Sequence, residues 1–295
     1  SESPHNPLSS ATLGHTLHFV VTITLHGEMY RLRPPPDRLT GFYLAMAFGG
    51  MLGRLFCAIL APTIFDWAYE HPLLILAAAL LLPQAPLLRA IRRFWDDRDR
   101  AWWAALAIAL CVVILSLIAD DRIRPDTPEW LGYGATTLIS ILAIVSLGRP
   151  WLFALCLGAL MMSFGGWGTL RLSFEDSRIR SYFGVYTITD RPAEGTRQLT
   201  HGTTLHGLQN LAPELVREPT SYYGRTSGVG LVLHAAEAYY GPNARIGVVG
   251  LGTGTLACYA QPSQSWTFFE IDPAMVNVAR NQFTFLRQCA PQTRI

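Results

Sequence analysis

Lysine is missing from this chain: all 23 basic residues are arginine. That excludes a lysine Schiff base or a lysine phosphate clamp, both of which need the ε-amine. Charge of either sign is scarce. Asp, Glu, Lys and Arg make up 15% of the 295 residues, against about 25% in an ordinary soluble domain. The formal net charge is only +2, so no nucleic-acid partner is implied. Cysteine is sparse as well. Cys57, Cys111, Cys156, Cys258 and Cys289 include no C-x-x-C pair, so neither a zinc site nor a disulfide framework is indicated, and no metal is expected. The first three fall in apolar runs and read as small buried hydrophobes. No signal-peptide pattern stands at the start. SESPHNPLSS reads as a loop leading into a helix, as in a chain that begins partway through a longer protein.

Hydrophobic residues fill the gap. They make up 50% of the chain, and the mean hydropathy is +0.25. Up to about residue 168, long apolar runs alternate with short charged loops; beyond it, charges disperse and strand-like alternation appears. The apolar segments lie at 12–27, 41–65, 71–88, 101–119, 130–147 and 150–167. A helix needs roughly 20 mostly apolar residues to cross the hydrocarbon. Segments 41–65, 101–119 and 130–147 qualify; 71–88 is interrupted by Pro83 and Pro86, and 150–167 is near the lower limit. Trp102, Trp103, Trp130, Trp151 and Trp167 sit at segment ends, as interfacial aromatics do. The expectation is a polytopic, integral membrane half of five or six spans in a lipid bilayer, of the bacterial inner-membrane kind.

RLRPPPDR and RAIRRFWDDRDR carry eight arginines between them. The excess of arginine on cytoplasmic loops puts both inside the cell. Counting spans onward from there leaves the second half outside, where nucleotide cofactors are scarce. Either one weak segment does not cross, or the charge rule misleads. The expectation is a miscounted segment and a cytoplasmic second half, against the loop charges.

In the second half, Ser181–Thr189 alternates as a strand rich in β-branched and aromatic residues. AEG is a turn, and TRQLTHGTTLHG a returning strand. Apolar residues fall at helical spacing after Ser227. RIGVVG is a short buried strand, GTLACYA opens a helix, SWTFFEID is the next strand, and PAMVNVARNQFTFL the next helix, with Pro273 at its start. That order argues for an open α/β sheet.

Gly250, Gly252 and Gly254 form G-x-G-x-G directly after a strand, and Glu270 ends the next strand, 20 residues after Gly250. Glycine lets the backbone turn tightly and approach a ligand closely. A carboxylate so placed accepts hydrogen bonds from ribose hydroxyls. A dinucleotide site prefers G-x-G-x-x-G/A, and here Thr255 holds the last position. The pattern suits an S-adenosylmethionine-type site better. The alternative is a structural turn beside an exposed acid.

RSYFGVYTITD, LTHGTTLHGLQ, PTSYYGRTSGVG, IGVVGLGTGTLACYA and FFEIDPAMVNVAR occur in the order of the spermidine synthase family. The chain resembles that family over about 180–295. LHGEMYRLRPPPDRLTGFYLAMAFGGMLG and APTIFDWAYEHPL are similar to the final spans of its membrane-fused branch. The resemblance implies a polytopic α-helical membrane domain (1–168), a small β-domain of spermidine-synthase type (169–225), and the first half of a nucleoside-binding, methyltransferase-like (Rossmann-type) α/β domain (226–295). It implies decarboxylated S-adenosylmethionine or S-adenosylmethionine as cofactor, held by Gly250, Gly252, Gly254 and Glu270, with Asp272 near the same rim. The family's reaction is attack of an amine on the methylene beside a sulfonium, with a carboxylate base taking the proton. Three departures stand out. Thr200-His201-Gly202 replaces the family's Leu-Asp-Gly, and Tyr222-Tyr223-Gly224-Arg225 replaces its Tyr-His-Glu, placing an arginine where a cationic substrate would bind. The family's catalytic aspartate would fall beyond Ile295, so no residue takes the role of base. The alternative expectation is therefore a non-catalytic accessory subunit, with other membrane subunits or further copies of itself as partners.

His201 and His206 flank GTTL, where one would serve as a base near neutral pH or else bond a turn. Tyr222 and Tyr223 pose the same choice. His15, His18 and His26 fall near one helix face, which suits a haem or metal site or plain hydrogen bonding between helices. Arg54, inside GGMLGRLFCAIL, is a functional suspect by its depth, or pairs with Glu28 or Asp66.

Overall fold

The computed structural model describes residues 7–120, 128–175, 177–202 and 204–295; the opening SESPHN, the 121–127 loop, Asp176 and Thr203 lie outside the described residues. The chain forms two compact units: Ser1–Ala61 with Ala68–Arg171, and Pro62–Trp67 with Leu172–Ile295. Most of it is helical, with a small antiparallel sheet.

In the first unit, α1 spans Pro7–Arg31. Helix α2 (Leu39–Leu55) continues through a π-type turn into α3 (Ala61–Ile64). It is followed by α4 (Glu70–Leu81), α5 (Arg89–Asp96), α6 (Arg98–Ala119), α7 (Glu129–Val145), α8 (Pro150–Met161) and α9 (Trp167–Phe174); the last residues of α3 and α9, from Pro62 and from Leu172, are counted with the second unit. Among the described residues, three helices are long and apolar enough to cross a membrane: Pro36–Ile64, Arg98–Ala119 and Pro150–Phe174. The expected span at 130–147 is shorter, at 17 residues. Helix α7 stops because Gly148 turns to φ +91° and Pro150 cannot continue it. The weaker expectation, 150–167, is the longer one. It runs on to Phe174 across a kink at Phe164–Gly165, where Gly165 takes φ +100°.

Helix α4 has 12 residues, about 18 Å of rise. With the residues that flank it, it nevertheless packs antiparallel to α8, with Tyr69 reaching the start of α9. The Tyr69 hydroxyl donates to Thr169 O at 3.2 Å. Leu76 stands 3.7 Å from where a Cβ on Gly158 would be, and Pro86 is 2.9 Å from the same point on Gly148. Residues 69–86 therefore traverse the same layer as 148–169, the last few in extended form because Pro83 and Pro86 end the helix. The core of this unit packs Ala101, Ala105 and Ala159 among Ile108, Val112, Ile139 and Leu152. Such small residues let helix backbones approach closely. Trp102, Trp103 and Trp130 are exposed. Trp167 is not; its indole donates to Ser116 Oγ at 3.3 Å. Glu28 pairs with Arg31 rather than with Arg54, which stands exposed on α2. His26 bonds Thr22 O, one turn back on its own helix.

The second unit opens with a four-stranded antiparallel meander: β1 (Arg178–Ser181), β2 (Gly184–Arg191), β3 (Thr196–His201) and β4 (Thr204–Asn210). Two expectations are corrected here. Ser181–Thr189 is not one strand, because Tyr182 and Phe183 form the turn between β1 and β2. TRQLTHGTTLHG is a hairpin rather than a single returning strand, since Gly202 at φ +60° turns the chain. Arg197 secures this sheet, donating two bonds to Asp190 and one to Gln282 O. Helix α10 (Gly228–Tyr240) begins where Ser227 accepts from Gly230 N at 3.1 Å. Strands β5 (Arg245–Val249) and β6 (Ser265–Phe269) pair in parallel. Strand β5 is half-exposed, not buried as expected; Val249 is 91% exposed. The expected helix after the glycine loop is a single 3-10 turn, Thr255–Tyr259, with Pro262 close behind. The last expected helix is broken at 282–284 into α11 (Pro273–Asn281) and α12 (Phe285–Cys289).

A further correction concerns the cysteines. Cys258, in the 3-10 turn, and Cys289, ending α12, form a disulfide with Cα atoms 4.8 Å apart. Cys57, Cys111 and Cys156 are free.

Candidate functional site

A cavity of about 290 Å³ opens in the second unit beside the glycine loop. Its floor is the end of β5 and the turn after it. Gly250, Gly252 and Gly254 all adopt positive φ, at +89°, +55° and +82°. An L side chain rarely adopts that conformation, so G-x-G-x-G is a backbone requirement here. The loop is pinned from both sides. Gly250 N donates to Phe269 O at 2.9 Å, and Thr253 and Thr255 share a hydroxyl bond of 2.7 Å.

Glu270 reaches the cavity from the end of β6. Its two oxygens accept Leu251 N and Asp272 N, each at 2.9 Å. Each oxygen keeps a second acceptor position, so the carboxylate is held in place and can still receive a donor from a ligand.

The meander supplies the opposite wall: Tyr186 from β2, His201 from β3 and His206 from β4. The imidazoles stand 5.4 Å apart between centroids, and Tyr186 lies 5.0 Å from His201. Two glycines make this wall fit. A Cβ on Gly184 would strike His201 Nε2, and one on Gly207 would stand 2.4 Å from Thr253 Cγ2. Burial first, then the neighbouring His201, pushes His206 below the ordinary histidine range. Burial, reinforced by the bond to Asp272, pushes the Tyr186 phenol well up. At neutral pH, Tyr186 is therefore a donor and His206 is biased towards its uncharged form.

Of the residues singled out in the sequence, His201, His206, Tyr223, Gly250, Gly252 and Glu270 meet around this cavity. Gly254, Asp272 and Tyr222 do not line it. Gly254 packs against Leu286. Asp272 is 2% exposed and committed to packing: it accepts Ser181 Oγ at 2.6 Å, Tyr186 Oη at 2.7 Å and Ala274 N at 2.9 Å, capping α11. Tyr222 packs against Tyr223 with the rings tilted by 49° and their centroids 4.3 Å apart. Arg225 is neutralised by Glu218 at 2.6 Å, so it does not present the free positive charge its position suggested. Sequence reasoning missed Tyr186 and Gly207. Tyr186 carried a signal, since strand alternation puts it on one face with Gly184. Gly207 carried none, because its partner Thr253 is 46 residues away. Among the described residues, no three His, Cys, Asp or Glu side chains converge as a metal set.

No family model matches this chain, and neither does any curated protein or solved structure.

Proposed function

We propose that the second unit is a nucleoside-binding domain of spermidine-synthase type and that its cavity takes an adenosyl sulfonium, decarboxylated S-adenosylmethionine or S-adenosylmethionine. The observation that carries this reading is the pairing of Glu270 with the glycine loop. A carboxylate held by Leu251 N, at the end of the strand parallel to the one before the loop, suits a ribose diol. Arg294 begins a third parallel pairing, with Thr267, which supports an α/β sheet of the methyltransferase kind. The aromatic faces of Tyr186 and Tyr223, with one carboxylate and a histidine biased to neutral, suit a cationic sulfonium. In a transfer reaction, His201 or His206 would be the group within the cavity able to take the proton of an attacking amine. Calorimetric titration of the purified protein in detergent tests the reading, with both sulfonium nucleosides and NAD run in parallel. Micromolar binding of one sulfonium nucleoside, lost in Glu270→Ala, supports it; no binding by any of them sinks it.

A second reading, a non-catalytic accessory subunit, is favoured by the side of the membrane. We infer that the second unit follows the last span on the non-cytoplasmic side. Residues 69–86 lie alongside 148–169, which supports counting them as a span. Arg149 donates to Trp95 O at 3.1 Å, which puts the α7–α8 corner at the same end of the helices as the arginines of α5. Those arginines mark the cytoplasmic end, and the end of α9 is the other. The Cys258–Cys289 disulfide agrees, because disulfides persist in oxidising compartments. A membrane-impermeant maleimide applied to intact cells, with Arg245→Cys and Arg92→Cys compared, tests this. Labelling at 245 and not at 92 supports it; the reverse overturns it. A nucleoside binder on that side would hold its ligand without the cytosolic supply that a transfer reaction needs.

A further inference from the structure

A second cavity, of about 390 Å³, lies in the helical unit where α5 meets the α7–α8 corner. Its lining includes Arg92, Trp95, Asp96, Arg149 and Trp151. Arg149 is the organised element. Its guanidinium lies over the Trp95 ring at 4.5 Å and donates to the Trp95 carbonyl at 3.1 Å. Trp95 is itself fixed, buried in the core with its indole donating to Val145 O at 2.9 Å. The corner is shaped by Gly148, whose φ of +91° and 2.9 Å approach to Pro86 exclude a side chain. A guanidinium has five donors in a fixed fork, so Arg149 is held by one bond and a ring while the rest of its fork remains for a ligand.

The cavity sits at the depth of lipid headgroups. Helix α6 starts two residues after α5 ends, with Trp102 and Trp103 exposed in its first turns, and Trp151 opens α8. Exposed tryptophans at helix ends mark the interface. Helix α5 is built to lie there: Ile91 and Trp95 pack inward, and Arg89, Arg92 and Arg93 face out.

We propose that this cavity binds the headgroup of an aminophospholipid. Arg92 and Arg149 take the phosphate, and Asp96 takes the primary ammonium. Arginine suits a phosphate through paired N–H donors. Asp96 decides between lipids. Its carboxylate matches an ammonium with three donors, whereas the glycerol of a phosphatidylglycerol is uncharged and leaves that carboxylate without a counter-charge. A choline headgroup offers no N–H and satisfies only half the site.

The test is native mass spectrometry of the whole protein in detergent, after mixing with vesicle lipids: phosphatidylethanolamine, phosphatidylglycerol and phosphatidylcholine in equal parts. The expected result is selective retention of phosphatidylethanolamine. Arg92→Gln should weaken it about tenfold, the worth of one charge-assisted bond. Asp96→Asn should shift the preference towards phosphatidylglycerol. Arg149→Gln also loosens Trp95, so the exposed Arg92 is the decisive position, with helicity as the folding control. Equal retention of the three lipids, or retention unchanged in Arg92→Gln, overturns the proposal. Displacement by inorganic phosphate or phosphoethanolamine at concentrations matching the lipid overturns the lipid assignment and makes the ligand soluble phosphate or a soluble phosphate ester.

Discussion

The Tyr186 hydroxyl donates to Asp272 Oδ2 across 2.7 Å, joining residues 86 apart in the chain. Asp272 also accepts from Ser181 and from Ala274 N, so one buried carboxylate ties β1 and β2 to the start of α11. The cavity wall that carries Tyr186 is thereby fixed to the strand end that carries Glu270, two residues before Asp272.

Removing one donor from this carboxylate should destabilise the fold modestly. Tyr186→Phe is expected to cost about 1–2 kcal/mol. Asp272→Ala leaves two hydroxyls and a helix cap without their acceptor, and is expected to cost about 2–4 kcal/mol. Thermal melts of the purified variants measure both. Equal, negligible losses would show that the carboxylate is not a tie.

Gly207→Ala should disturb the cavity through the loop. The new methyl meets buried Thr253, whose hydroxyl is bonded to Thr255, so the loop has little room to yield. Overpacking of this kind costs about 1–3 kcal/mol. A variant with wild-type stability and unchanged ligand titration would show that the hairpin and the loop move independently.

Reduction of Cys258–Cys289 should lower the melting temperature. The bridge links residues 31 apart, and closing a loop of that length is worth about 3–4 kcal/mol. A paired scan with and without reductant, beside Cys258→Ser, measures it; Cys57→Ser is the neutral comparison. A reductant effect that persists in Cys258→Ser would assign the loss to something else.

Acid should weaken the cavity through His206. Its folded pKa lies below the ordinary 6.5. The unfolded chain therefore takes up the proton first as pH falls. The stability that His206 contributes is present above about 6.5 and is lost as pH falls through and below that value. Affinity for a cationic sulfonium should drop over the same range as the ring becomes charged. His206→Gln should flatten both profiles between pH 7 and 5; an acid limb unchanged in that variant would remove His206 from the account.

Much of the fold was legible locally. Ser227 and Pro273 each mark a helix start because cap chemistry is confined to one turn. The glycine spacing showed a loop of positive φ for the same reason. Where reading failed, a local signal was ambiguous. THGTTLHG alternates equally well as one strand or as two with a turn at Gly202. A five-residue 3-10 turn and a helix begin alike; at Thr255–Tyr259 the difference is made downstream, where Ala260 is already extended and Pro262 prevents a helix from running on.

The sequence by itself determined the apolar helices, the strand-forming second half and the glycine loop with its acid, because periodicity and backbone preference act over a few residues. Only the tertiary structure decided that Glu270 faces the cavity while Asp272 is spent on packing, that Cys258 meets Cys289, and that residues 69–86 traverse the bundle although two prolines cut their helix short. Each of these depends on groups brought together from distant parts of the chain, and a contact between distant residues leaves no periodic trace in the sequence that makes it.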